Sequence, residues 1–190
     1  MNAPPASDDD PHAQQVRRWV QTVVVDLNLC PFARRELDAG RVRFAVSDAR
    51  EPEALLAALA DELERLDDDD GIETTLLIHP HVLGDFLDYN DFLDDAEHLV
   101  EVTGRAGVYQ IASFHPRYQF AGTDPEDAEN WTNRAPWPVL HLLREASLER
   151  AIAAHPDTAR IPEDNVALMN RMGSGELQRL LLACATAGDD

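Results

Sequence analysis

Three short runs of β-branched and apolar residues, each separated from the next by a stretch of helical length, constrain this chain more than any other feature. Arg41–Val46 alternates Val42, Phe44 and Val46 with Arg41, Arg43 and Ala45, the period-two pattern of a strand. Thr74–His79 (TTLLIH) and Val108–Phe114 (VYQIASF) are near-continuous apolar runs. Between the strands, Pro52–Leu66 lines Leu55, Leu59, Leu63 and Leu66 on one helical face. Asp85–Thr103 does the same with Phe86, Tyr89, Leu93, Ala96 and Val100. Strands joined through helices of this length pair in parallel. The expected fold is one α/β domain over residues 10–186: a small, mainly parallel three-stranded sheet (41–46, 74–79, 108–114) covered by about six helices.

Helix signals complete the outline. Asp10 and Pro11 suit the N-cap and first-turn positions of an amphipathic helix whose apolar face carries Val16, Trp19, Val20, Val23, Val24 and Leu27. That helix has to end before Cys30, because Pro31 pushes the preceding residue out of the α region. A short helix from Phe32 to Leu37 is expected next, with Cys30 as its N-cap. Further helices are expected over about Pro138–Ala154 and Pro162–Met172, and after Ser174. Residues 1–9 are acidic and poor in apolar side chains, the composition of a disordered tail.

Charge removes whole classes of partner. Acidic residues outnumber basic ones 36 to 16, for a formal net charge of −20. A polyanion such as nucleic acid is excluded on that balance. All the basic residues are Arg, so chemistry that needs a lysine is absent as well. No apolar run approaches the ~18 residues of a membrane span, and the amino terminus lacks the basic and apolar parts of a signal peptide. A cytoplasmic location is expected, with Cys30 and Cys184 as thiols rather than a disulfide.

Chemistry is expected where the strands end. In parallel sheets ligands bind beyond the carboxyl ends of the strands. Two of the strands end in His-Pro, with His79, Pro80 and His81 after one and His115, Pro116, Arg117 and Tyr118 after the other. Ser47 and Asp48 would share that edge. The following connection, Arg117–Pro138, has no apolar periodicity yet carries Tyr118, Phe120, Trp131 and Trp137, a composition that fits a functional loop.

Three stretches, LNLCPFARR (Leu27–Arg35), IASFHPRYQFAGT (Ile111–Thr123) and NRAPWPVLHLLRE (Asn133–Glu145), together resemble an uncharacterised bacterial family catalogued as domain of unknown function 1415. The resemblance covers the chain from the first helix to about Met172. It implies that these stretches form one unit and brings no activity with it.

From the residues themselves, the leading expectation is an enzyme for a small anionic metabolite. His115 would be the acid/base, since an imidazole takes either protonation state near neutrality. Arg117 and Arg134 would clamp the anion through paired guanidinium hydrogen bonds, with Tyr118 and Asn133 orienting it. A divalent metal on His79 or His81 with His115 is a further, less favoured option, because residues flanking Pro80 in an extended segment point to opposite faces. The alternatives are a non-catalytic module that binds a metabolite or protein, and a redox thiol protein centred on Cys30. His141 carries no distinguishing signal.

Overall fold

A computed structural model describes residues 9–154 and 157–186. Most of the tail assigned to residues 1–9 therefore lies outside the described residues. The chain forms α1 (Pro11–Trp19), α2 (Ala33–Asp38), β1 (Val42–Val46), α3 (Pro52–Asp68), β2 (Thr74–Ile78), α4 (Phe86–Val102), β3 (Tyr109–Phe114), β4 (Val139–Arg144), α5 (Glu145–Ala154), α6 (Ile161–Met172) and α7 (Ser174–Thr186). A π-helical turn, Val20–Val25, continues α1, and 3-10 turns occur at Ala128–Asn133 and Thr158–Arg160.

The sheet has four strands in the order β1-β2-β4-β3, and this corrects the three-stranded, mainly parallel expectation. β1 and β2 pair in parallel, whereas β4 is antiparallel to both β2 and β3. The three expected strands do run in one direction, but β4 separates the second from the third. The helix expected over Pro138–Ala154 is a strand for its first half. Val139, Leu140, Leu142 and Leu143 fit helical spacing, yet a central strand covered on both faces is also a continuous apolar run, and periodicity alone does not separate the two.

Alternation along the strands feeds two apolar layers. Phe44, Val46, Leu76, Ile78 and Val139 pack beneath α1, α6 and α7 with Val16, Trp19, Val23, Met169 and Leu177. Ala45, Leu77, Leu140, Leu142 and Tyr109 pack on the other face beneath α3 and α4, against Leu55, Leu59, Leu63, Tyr89, Phe92 and Ala96. Each fully buried Leu contributes roughly 1.5–3 kcal/mol, so these layers are the main source of stability. On β1, Arg43 faces α3 and meets Glu62 through two hydrogen bonds of 2.7 and 3.0 Å. Asp10 caps α1 by accepting from the His12 amide at 2.8 Å, and Asp85 caps α4 by accepting from the Leu87 amide at 2.9 Å.

The π turn changes the register at the end of the first helix. Asp26 N–H donates to Gln21 O at 3.0 Å and Leu29 N–H to Val24 O at 2.9 Å, each spanning five residues. Asn28 follows in the left-handed region with φ 56°. α2 begins at Ala33 with Phe32 at its N-cap, so Cys30 lies outside the helix rather than capping it. No helix among the described residues is long and apolar enough to cross a membrane.

Candidate functional site

At the carboxyl edge of the sheet the expected residues do gather, and their polar atoms are engaged by the chain itself. His115 is wholly buried. Its Nδ1 accepts from the Arg117 amide at 3.0 Å and its Nε2 meets Leu83 O at 3.2 Å. A carbonyl only accepts, so the proton sits on Nε2. Both ring nitrogens are thus occupied in the neutral state. Burial is the main cause that pushes the His115 pKa down to about 4, with the Arg117 charge adding to it. A general base needs a free lone pair facing its substrate, and His115 has none in this geometry.

Arg117 donates to Gly84 O at 2.6 Å and faces Asp85 at 3.4 Å, with its side chain 64% exposed. An ion pair so exposed contributes only about 0–1 kcal/mol. Together His115 and Arg117 hold the segment between β2 and α4, where Leu83 adopts φ 57°. A bulky residue rarely takes this conformation, and the two donors fix its carbonyl and the next. Asn133 donates to Ser113 O at 3.0 Å while its own carbonyl accepts from the His115 amide at 3.2 Å. Arg134 donates to Tyr118 O and Pro125 O at 3.1 and 2.7 Å and lies over the Trp131 ring at 4.7 Å. Burial lowers the Arg134 pKa from its ordinary value. Tyr118 packs tilted against Phe86 and edge-on against Phe120, with ring centroids 5.2 and 5.0 Å apart.

These bonds explain why a long loop without periodicity is ordered. Its centre is Asn130, wholly buried, which accepts from the Phe120 amide and the Thr123 hydroxyl at 2.9 Å and donates to Asp124 O at 2.8 Å. Sequence reasoning passed over Asn130, because a buried Asn inside a polar stretch looks like any other loop residue.

His79 and His81 diverge as extended geometry requires. His79 is wholly buried, stacked on Tyr89 at 5.7 Å, with Nδ1 donating to Val82 O at 3.1 Å and Nε2 without a partner among the described residues. Burial drives its pKa down to about 4. His81 is exposed on the opposite side, with its ring 5.9 Å from that of His12. Among the described residues no group of three or more His, Cys, Asp or Glu side chains is placed to hold a metal ion. Ser47 is buried and Asp48 exposed beside β1.

A separate cavity of about 260 Å³ lies on the face of the sheet that carries α1. Its floor is Thr74, Leu76, Ala112, Phe114, His141 and Leu143, and the π turn contributes Val20 and Val24. Cys30, Phe32 and Ala33 and, from α5, Leu148 and Ala151 also line it, with Glu36, Glu73, Arg144 and Ser147 as its other polar residues besides Arg35. Exposed Arg35 at the rim shows that the cavity reaches solvent. Among the described residues Cys30 makes no disulfide, so its thiol is free within the wall.

A hydrogen-bonded polar pair, Thr74 and His141, stands among the apolar residues of the floor. The Thr74 hydroxyl has a single hydrogen, and Leu142 O takes it at 2.6 Å. The same oxygen lies 2.8 Å from His141 Nε2, so it accepts and His141 carries its proton on Nε2. Among the described residues nothing donates to His141 Nδ1. Burial pushes the His141 pKa down to about 4, which keeps the ring neutral at pH 7. Thr74 and His141 come together because His141 faces Leu76 across the β2–β4 ladder, which sets Thr74 diagonally beside it. Without knowing that β4 is a strand, no sequence signal joins them.

No curated protein and no solved structure matches the chain. Residues 12–179, which span both the histidine-pinned loops and every residue that lines the cavity, match the model of the family described as Protein of unknown function (DUF1415), and the chain belongs to that family.

Proposed function

We propose that this protein binds a small, largely apolar molecule in the cavity between the sheet, the π turn and α5. The observation that carries this reading is the cavity itself: about 260 Å³ with walls of Val, Leu, Phe, Ala and Trp side chains. A concave, solvent-reaching and mostly apolar recess with a few polar groups is the usual form of a small-molecule site. An engineered apolar cavity of about 150 Å³ takes up benzene, so this one has room for a substituted single ring or a short branched chain. The π turn supports the same reading, since such turns recur at functional sites and this one supplies two wall residues.

Less supports the expected enzyme for an anionic metabolite. Its acid/base and its clamps, His115, Arg117 and Arg134, are engaged by loop carbonyls and amides. Cys30 gives the thiol alternative one specific observation, its place in the cavity wall, but it has no second cysteine to exchange with there.

Thermal denaturation with toluene tests the proposal. Toluene at millimolar concentration should raise the melting temperature of the native chain and slow alkylation of Cys30 by a small maleimide. The Ala112→Leu variant, which fills the cavity from its floor, should lose both effects while remaining folded. A melting temperature unmoved by toluene in the native chain overturns the proposal.

A further inference from the structure

We infer that His141 Nδ1 is the polar contact of the cavity, and that it selects uncharged ligands bearing a hydrogen-bond donor, a phenol, alcohol or N–H group, over hydrocarbons and acceptor-only analogues. The inference rests on the cavity reading above and adds the chemical class of the ligand.

The argument is one of proton placement. Leu142 O fixes the Thr74 hydrogen, the Thr74 oxygen fixes the His141 proton on Nε2, and Nδ1 is left as a bare lone pair on a ring that lines the cavity. The rest of the floor and the far wall is hydrocarbon, from Leu76, Ala112, Phe114, Leu143, Val20 and Val24. His141 is half-buried, so an apolar ligand that covers this acceptor strips it of water without replacing the hydrogen bond, whereas a ligand O–H or N–H supplies one. An ether or carbonyl oxygen in the same place would set lone pair against lone pair. A carboxylate would meet the same lone pair and would also lose its hydration in an apolar wall, so anions are rejected. The lining guanidiniums do not offset this, because Arg35 is turned to Glu36 at 2.7 Å and Arg144 donates to Ile72 O and to the Tyr109 hydroxyl, each at 3.1 Å.

Phenol and toluene are near in shape and differ in the donor, so they are the probes, with benzaldehyde as the acceptor-only control. Water holds phenol more strongly than toluene, and a purely apolar cavity would therefore favour toluene. In the native chain phenol should bind at least as tightly as toluene by calorimetry, and benzaldehyde more weakly than either. The His141→Phe variant leaves Thr74 bonded to Leu142 O and removes the Nδ1 acceptor together with the Nε2–H bond to the Thr74 oxygen. There the phenol-to-toluene affinity ratio should fall by about tenfold or more. A second measurement needs no variant: the nitrogen-15 signal of His141 Nδ1 should be that of an unprotonated nitrogen, and phenol but not toluene should shift it. Toluene binding with phenol excluded overturns the ligand class and leaves the cavity reading standing. Benzaldehyde preferred over phenol overturns the proton placement, and failure of every probe to bind overturns both.

Discussion

Replacing His79 by Phe should flatten the acid sensitivity of this protein by about 2 kcal/mol between pH 7 and pH 5. His79, His115 and His141 are each held neutral, and each has its pKa driven down to about 4 from an ordinary 6.5. The sign follows from proton uptake: between those values the unfolded chain binds a proton that the folded chain refuses, so acid favours unfolding. Stability from each ring is complete above pH 6.5, falls through the window and levels off below pH 4. One proton corresponds to about 1.4 kcal/mol per pH unit, so each ring costs about 2 kcal/mol between pH 7 and pH 5. Three rings together cost about 6 kcal/mol, as much as the whole stability of many domains. In His79→Phe an aromatic ring remains against Tyr89, and the lost bond to Val82 O lowers stability by about 1 kcal/mol at every pH. The drop from pH 7 to pH 5 should nonetheless shrink by about 2 kcal/mol. Urea titrations at pH 7, 6 and 5, with unchanged slopes, read that difference directly. An identical pH 7 to pH 5 loss in the variant and the native chain would refute the claim that His79 is kept neutral.

Other perturbations separate the pins from the cavity. Asn130→Ala removes three hydrogen bonds at the centre of the 115–138 loop, so limited proteolysis should cut within that loop at least tenfold faster, while cavity probes still bind. Glu62→Gln leaves the partly buried Arg43 guanidinium without its charge partner and should lower stability by about 3 kcal/mol in urea, more than any exposed pair. Arg117→Ala should cost less than about 1 kcal/mol by the same assay, because its carbonyl contact at Gly84 is exposed. Asn28→Ala should cost about 1 kcal/mol, since alanine lacks the tolerance of Asn for φ 56°.

The sequence made the outer logic of the fold legible and hid its middle. β1, β2 and β3 follow their apolar runs to within a residue or two, and α3 and α4 follow their leucine and aromatic stripes. Those signals are local, because one side chain in two or in three to four must face a core. β4 has no such signature. It is central, covered on both faces, and its VLHLLR run satisfies helix and strand alike. Once β4 is missed, the Thr74–His141 pair is invisible and so is the floor of the cavity. At the sheet edge the clustering of His115, Arg117, Asn133 and Arg134 was legible, but their engagement was not, since hydrogen bonds to backbone carbonyls leave no mark on residue type.

That distinction bears on how His-Pro strand ends are read. A strand leaving a sheet exposes amides and carbonyls that have lost their ladder, and proline removes a donor at the same point. An imidazole with one donor and one acceptor can serve two such groups at once, provided it stays neutral. His115 does so for Arg117 N–H and Leu83 O, and His79 serves Val82 O. The requirement for neutrality costs acid stability, whereas catalytic use would need the lone pair free. His141 is the half-buried ring whose Nδ1 lone pair meets that condition among the described residues while the ring lines an open cavity, and the search for ligands therefore starts from the sheet face instead of the sheet edge.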